Sequence, residues 1–508
     1  MNKFYFTFSL FFFSFLMHAQ MFEDAWRYAQ NEASGTARFS AMSGAFSSLG
    51  GDLSAISLNP AGATTFATNR FTATLSFYNK NNTSDYFKDK AQSDYLSFDD
   101  QVIGMEQLGV VWVFKSDVSD WNKIALSINY NNKADYGNYI RIDGLNTAGH
   151  SVTDYYVANA RGIPLADLKE VDGYDDDYEW LGENYGFAAQ QAYLAYQAWI
   201  IDPVNPNDDD NTQYVSNAVW SNPAHQNKIY TAGNKYVIDF ALAGTYQKKL
   251  QMGFSVSAYT INYEENNTII EKNYPAVSDL QYLKAKNALR VEGSGLSLKA
   301  GAIYHPTKGV KLSFAYHSPE WLEINEYMKQ SVYTELKDGS VFDIAPEIEN
   351  QFAPYKVISP SKYILGASAV INKKGLISVD YTYQNMANLH FKEKDYDADT
   401  TYFDELNDDI SATMQAVHKL NIGGEAKMND LSLRGGFFMA TSPVKADKDL
   451  FTSGGYSFGM GYNFEGIILD MAYIKSTNKS RQYLLNLPDA AKIETTKNKF
   501  VIGVRYNF

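Results

Sequence analysis

The sequence predicts an all-β fold, a transmembrane antiparallel β-barrel of about 14 strands with an N-terminal segment plugging its lumen. Three observations predict it. Strand-length runs alternate apolar and polar residues, short and long connections alternate along the chain, and an export signal precedes a chain with no other long apolar run.

The last segment carries the alternation most clearly. Phe500, Ile502, Val504, Tyr506 and the C-terminal Phe508 fall on one face, and Val501, Gly503, Arg505 and Asn507 on the other. Ile467, Leu469, Met471 and Tyr473 oppose Asp470 and Ala472, and Ile377, Val379, Tyr381 and Tyr383 oppose Ser378, Asp380, Thr382 and Gln384. Ile124, Leu126, Ile128 and Tyr130 repeat the pattern, as do Met252, Phe254 and Val256. A soluble β-sandwich would show the same period with its apolar face turned inward. The export signal, the aromatic ending, the tyrosine-rich apolar faces and the alternating connections favour the membrane.

Lys3 precedes the apolar run Phe4 to Met17, and His18-Ala19-Gln20 resembles a small-residue cleavage site, so residues 1–20 read as a secretory signal peptide. The run is too short for a transmembrane anchor. Membrane residence must then come from strands, because only helices and closed barrels satisfy every backbone group in lipid. With no cysteine, a lipidated N-terminal cysteine, disulfides and thiolate metal sites are excluded. The formal net charge of −14 argues against nucleic acid as a partner, and acidic residues gather in inserts such as Asp172 to Glu179, Asp208 to Asp210 and Lys392 to Asp409.

Strands are expected to start near Arg70, Gln107, Lys123, Lys235, Leu250, Arg290, Val310, Tyr355, Gly375, Met414, Leu431, Gly454, Gly466 and Asn498. Short turns fall at Ser116 to Asn122, Lys248-Lys249, His305 to Gly309, Asn372 to Lys374, Asn429-Asp430 and Phe464-Glu465. Long links fall at Lys80 to Glu106, Lys133 to Asn234, Asn388 to Thr413 and Ser476 to Lys497. The usual asymmetry puts the short turns and both termini in the periplasm of a bacterial outer-membrane protein, with the long inserts outside. The domain plan is a signal at 1–20, a plug at 21–69, and a barrel at 70–508 whose largest insert is 133–234. Within that insert Tyr185 to Ile201 reads as a helix. Its Tyr193, Tyr196, Trp199 and Ile200 could offer an external groove or pack on neighbouring loops to cap the pore, and packing is the favoured reading.

Residues 21–69 are rich in small residues and do not alternate, so the lumen is the place that buries their apolar side chains. Gly35-Thr36-Ala37-Arg38, Met42-Ser43-Gly44-Ala45-Phe46, Gly50-Gly51-Asp52 and Leu58-Asn59-Pro60-Ala61-Gly62 resemble the N-terminal hatch of the FadL-type outer-membrane transporters. The resemblance implies energy-independent uptake of hydrophobic compounds, long-chain fatty acids or aromatic hydrocarbons. The ligand would be captured outside, pass to a site at the hatch and leave sideways through a gap in the wall. An apolar ligand gains roughly 25 cal/mol per Å² on leaving water. Carried onto this chain, Asn59, Pro60 and Ala61 shape the hatch, and Phe39, Met42 and Phe46 face the lumen as ligand contacts; the alternative is that all six only pack the plug. Arg38 is a suggestion for a carboxylate partner. The large insert departs from the family, whose prominent capture loops follow later strands. A defect in an early strand is expected near Asn131 to Gly137.

Nothing points to catalysis, a cofactor or a metal. Gly455-Tyr456-Ser457-Phe458-Gly459 matches the nucleophile-elbow pattern but falls inside an alternating strand with no following helix. The histidines lack metal-ligand spacing, and Asp176, Asp177 and Asp208 to Asp210 read as solvated loops rather than a calcium site. Expected partners are hydrophobic small molecules and outer-membrane lipid. The alternative functions are secretion or surface attachment, with a protein partner docking on the Tyr- and Asn-rich inserts, and hemin binding. The chain is too short for an energised receptor with a large globular plug, and the hatch disfavours a general porin.

Overall fold

The structure is a computed structural model that describes residues 26–29, 32, 34–97, 104–117, 119–372, 374–394, 401–446, 448–449 and 452–508. The expected signal at 1–20, the start of the expected plug and the acidic stretch 395–400 lie outside the described residues.

Among the described residues, fourteen strands close one antiparallel barrel. They are β1 (Arg70–Tyr86), β2 (Gly104–Lys115), β3 (Trp121–Asp135), β4 (Ala224–Tyr246), β5 (Leu250–Lys272), β6 (Leu280–Thr307) and β7 (Val310–His317). The ring continues with β8 (Lys362–Ile371), β9 (Gly375–Asn385), β10 (Ala416–Met428), β11 (Leu431–Ala440), β12 (Ser453–Phe464), β13 (Ile467–Tyr483) and β14 (Ala490–Asn507). Each pairs with the next, and β14 returns to β1 with Arg70 opposite Asn507. The expected starts fall in these strands or within two residues of them, except Tyr355, which opens a separate short strand (Tyr355–Ile358) seven residues before β8.

The apolar face points outward. Ile124, Leu126 and Ile128 are 42–44% exposed, whereas Ala125, Ser127 and Asn129 between them are at most 3% exposed. The same holds for Phe500, Ile502 and Val504 against Lys499, Val501 and Arg505. Buried ionic side chains on the inner face exclude the sandwich, and so continuous an apolar belt on the outside is compatible only with lipid. Aromatic pairs edge it, with Tyr130–Tyr236, Tyr316–Tyr363 and Tyr473–Phe500 above and Trp121–Tyr246 and Tyr462–Phe464 below. No described helix is long and apolar enough to cross a membrane.

At the short-turn end the chain reverses quickly. Glu465 and Gly466 both have positive φ (48° and 111°), the primed hairpin geometry that matches strand twist, and Phe464 pairs directly with Ile467. Arg70 and Asn507 lie at this end too.

At the other end, several expected links are strand. β1 runs on to Tyr86 and turns into a hairpin strand at Asp89–Leu96, and β3 resumes as Asn138–Leu145. β4 and β6 begin at Ala224 and Leu280, about ten residues before their expected starts, and β7 resumes as Trp321–Leu336. Outside the lipid belt both faces of a strand can be polar, so the apolar alternation that marks a strand disappears while the ladder continues.

In the lumen, α1 (Ala37–Ala41), α2 (Leu53–Ile56) and a 3₁₀ turn (Pro60–Thr65) form the hatch. Above the far end, residues 146–223 fold into a roof of α3 (Val152–Ala160), α4 (Leu165–Leu168), α5 (Tyr174–Tyr185) and α6 (Phe187–Gln197). The predicted helix is α6. Its Tyr193 and Ile200 are buried with Tyr156, Leu168 and Leu181 against Ile142, Ile269, Leu283, Val332 and Ile493 of the projecting strands. Trp199 is instead exposed, 5.9 Å from the Phe342 ring. Packing, not an open groove, is what this face does. Ser151 and Asp154 form a capping box at α3, a signal present in the sequence, and Val152 N–H donates to Glu271 of β5. A final helix, α7 (Thr401–Thr413), lies between β9 and β10.

Candidate functional site

Each hatch element is stopped and started by a short polar side chain. Thr36, Asp52 and Asn59 accept from the backbone N–H of Phe39, Ser54 and Ala61 at the three N-termini. Thr36 Oγ1 also donates to the Asp52 carboxylate at 2.8 Å, which ties α1 to α2.

The hatch is fixed to the wall all round. Asn129 of β3 donates to Leu53 O (3.0 Å), Asn59 Nδ2 donates to Ala302 O of β6 (3.2 Å), and Ser47 N–H and Oγ both donate to Asp380 of β9 (2.7 Å each). Ser457 of β12 donates to Ala41 O at 2.9 Å, so the serine of the elbow-like motif holds the plug. Arg38 donates bidentately to Glu425 at 2.9 and 3.0 Å. Burial lowers its proton affinity, but the Glu425 carboxylate outweighs that and the guanidinium pKa is raised. Glu425 also takes Arg434, whose other nitrogen reaches Asp470 at 2.7 Å, and Asp470 takes Arg505. This chain of charges runs from Arg38 at one end to Arg505 at the other, and Arg38 is committed within it.

The Asn59-Pro60-Ala61 corner sits where the wall has no side chain. A Cβ at Gly253 of β5 would lie 2.5 Å from the Pro60 carbonyl carbon, and one at Gly301 of β6 would lie 2.8 Å from Asn59 Cγ. Two glycines on adjacent strands therefore make the socket for this corner.

Above the hatch lies a cavity of about 530 Å³. Phe39 and Leu58 of the hatch face it, as do Ile364, Val417, Phe438 and Ile474 of the wall. Met42 and Phe46 are packed within the hatch beside Leu49 and Ala55. Asn59, Pro60 and Ala61 are buried at the wall below. Of the six candidates, Phe39 alone is on the cavity lining.

The charges in this lumen were not legible beforehand. Among its described lining residues are seven lysines and two arginines against five carboxylates. Lys497 pairs with Glu32 (2.8 Å) and Asp135 (3.2 Å), Lys499 with Glu106 (2.8 Å) and Asp135 (3.2 Å), and Lys299 with Asp239 (2.6 Å). No ion pair within 4 Å engages Lys133 or Lys419 among the described residues, and Lys80 Nζ donates to a backbone oxygen, Asp135 O. Lys419 lies 5.8 Å from the Phe438 ring, so a cation and an apolar surface adjoin. Each lysine occupies an inward position of a strand and looks like an ordinary alternating polar residue in sequence.

The expected early-strand defect is present. β3 shifts register between Asn132 and Ala134 and breaks at Tyr136-Gly137. β2 is described from Gly104. Beyond it, Asn138–Leu145 is met by side chains of the neighbouring hairpin: Asn82 Nδ2 and Ser93 Oγ donate to Tyr139 O (2.8 and 2.9 Å), and Ser84 Oγ to Arg141 O (2.8 Å). Tyr78 and Tyr95 converge on Gly137 with their hydroxyl ends, their rings tilted and 5.9 Å apart.

No family model and no curated protein matches the sequence. Solved structures do. The P. putida toluene transporter TodX has 13% identity over 94% of this chain and 99% of its own, with a TM-score of 0.51. A Pseudomonas aeruginosa FadL homologue has 12% identity over 94% and 100%, with a TM-score of 0.52. The CymD monoaromatic hydrocarbon channel has 10% identity over 94% and 99%, with a TM-score of 0.50. The chain has the fold of these FadL-type channels.

Proposed function

We propose that this chain is an outer-membrane channel for energy-independent uptake of hydrophobic compounds that carry an anionic head, long-chain fatty acids first among them. The observation that carries the reading is the cation excess in the lumen of a chain whose formal net charge is −14. The similar channels are described as toluene or monoaromatic hydrocarbon channels. A neutral aromatic would leave Lys133 and Lys419 without a paired carboxylate, and removing charges from water uncompensated is costly. A carboxylate would compensate them while its chain lies on Phe39, Leu58, Val417, Phe438 and Ile474. His317, the one histidine on the described lining, has Nε2 engaged with Leu58 O at 2.8 Å, which disfavours hemin.

In this reading the ligand rests above the hatch, which closes the periplasmic end, and leaves through the β3 break. Calorimetry on the purified barrel tests it. Palmitate should bind saturably, and Lys133→Ala with Lys419→Ala should weaken it by about 1–3 kcal/mol, roughly ten- to a hundredfold, while toluene binding stays unchanged. Absence of acid binding by a folded barrel, or equal loss for both ligands, refutes the anionic-head reading.

The exit makes its own prediction. Replacing Tyr78 and Tyr95 by alanine removes the rings over Gly137 without touching a backbone ladder. Release of bound acid into vesicles should accelerate about tenfold by stopped-flow fluorescence. An unchanged rate would place the exit elsewhere.

A further inference from the structure

The rim of the barrel is uneven. β6 spans 28 residues, but β11 ends at Ala440 and β12 starts at Ser453, opposite Asn478, while β13 continues to Tyr483. The buried core of the roof draws on β1, β3, β5, β6, β7 and β14, and on no strand from β8 to β12. After β11, Pro443 and Lys445 are bonded toward α7: Gln415 N–H donates to Pro443 O, and Lys445 N–H donates to Thr413 O at the end of α7.

A second cavity, of about 710 Å³, occupies this low rim. It shares Ala440, Thr441, Ser453 and Thr477 with the lumen cavity, so the two adjoin across these residues. It is also lined by His418, Met439 and Gly454, which sit at outward positions of their strands. Its lining therefore takes in both faces of the wall. Its outer mouth is level with the aromatic edge of the lipid belt, where Tyr381 hydrogen-bonds His418 at 2.6 Å and the Tyr383 ring lies 5.6 Å from the imidazole. Lys448 and Lys479 line it, hydroxyl groups make up much of the rest, and none of its described lining residues is a carboxylate. Lys419, inside the lumen, is the register partner of Ala440 at the inner mouth.

We propose that this notch is a lateral portal through which single-chain carboxylates already dissolved in the adjacent leaflet enter the lumen. It rests on the reading of the lumen as a site for an anionic amphipath. The belt level allows the acyl chain to remain in lipid while the head moves from Lys448 and Lys479 past the hydroxyls of Thr441, Ser453 and Thr477 to Lys419. Neither part of the ligand has to cross bulk water, and the roof need not open. The notch, lined from β10 to β13, stands four to seven strands round the ring of fourteen from β3, so the portal and the β3 break are separate openings.

Gly454→Trp tests the portal. A Cβ at Gly454 meets only Phe438 O, at 3.6 Å, so the position accepts a side chain that fills the outer mouth. A dansyl-labelled undecanoate is delivered either from phosphatidylethanolamine–phosphatidylglycerol vesicles containing the protein or from albumin in solution. The expected result is about a tenfold slower loading from the membrane, with loading from albumin and equilibrium affinity unchanged. Lys448→Glu with Lys479→Glu should slow the membrane arm in the same direction, which keeps the test available if the tryptophan variant fails to fold. Unchanged membrane loading in both variants overturns the portal while leaving the lumen site standing. Equal slowing from both sources overturns it as well, making the notch an aqueous mouth. Absence of equilibrium binding by the wild-type barrel refutes the lumen reading beneath it.

Discussion

Gly253→Val together with Gly301→Val should convert the closed barrel into a conducting one. The two Cβ atoms would occupy the space of the Pro60 carbonyl carbon and the Asn59 side-chain amide. The Pro60 contact is backbone and cannot rotate aside, and Asn59 would lose its bonds to Ser47 O and Ala302 O together with its place at the head of the 3₁₀ turn. Overpacking of this kind costs about 1–3 kcal/mol per site, enough to unseat one corner of a hatch but not a barrel held by continuous ladders. Single-channel recording in planar bilayers should show frequent large openings, and strand content by circular dichroism should be unchanged. A variant that stays silent, with its barrel intact, would mean that the hatch is held without the Asn59-Pro60-Ala61 corner. Replacing Asn59 and Pro60 themselves should act in the same direction.

Asp470→Ala should be the most destabilising single change in the wall. Asp470 is 1% exposed and receives both Arg434 and Arg505. Its removal strands the buried Arg505 guanidinium and leaves Arg434 with Glu425 alone, and breaking a buried pair in this way costs about 3–5 kcal/mol. The barrel should lose its heat-resistant electrophoretic form at a clearly lower temperature than wild type. Asp470→Asn keeps one acceptor and should fall between the two; an alanine variant as heat-resistant as wild type would show that water replaces the carboxylate at no cost. The effect should spread to the hatch, because Arg434 also orients Glu425 against Arg38.

The strands could be read because lipid imposes a one-sided rule. Within the belt every second residue must be apolar, as at Ile124, Leu126 and Ile128, and short turns such as Glu465-Gly466 punctuate it. Beyond the belt the rule lapses, which is why Ala224 to Asn234 and Leu280 to Leu289 were read as connection rather than strand. The hatch was legible as a sequence block around Asn59-Pro60-Ala61, and the β3 defect near Gly137 with it. The lysines of the lumen were not. Lys80, Lys133 and Lys419 come from three strands distant in sequence, and only closure of the ring brings them round one cavity. Phe39 reaches that cavity, whereas Met42 and Phe46, on neighbouring turns of the same small-residue segment, turn into the hatch. The roof was hidden for another reason: most of its helices are short and depend on packing against projecting strands.

The seam between β1 and β14 sets an order of construction. Arg70 and Asn507 are 437 residues apart, and joining ends that far apart costs roughly 5 kcal/mol of chain entropy before the first contact forms. Once begun, the seam extends from Arg70↔Asn507 to Asp85↔Lys492, well past the lipid belt, so its upper part can zip in water. The hatch is synthesised first and ends up bonded to β3, β6, β9 and β12 around the ring. Seated before the last strand docks, the plug would be a mandrel as well as a stopper: the cylinder would be wound around it, and the final hydrogen-bonded hem sewn with the core already in place.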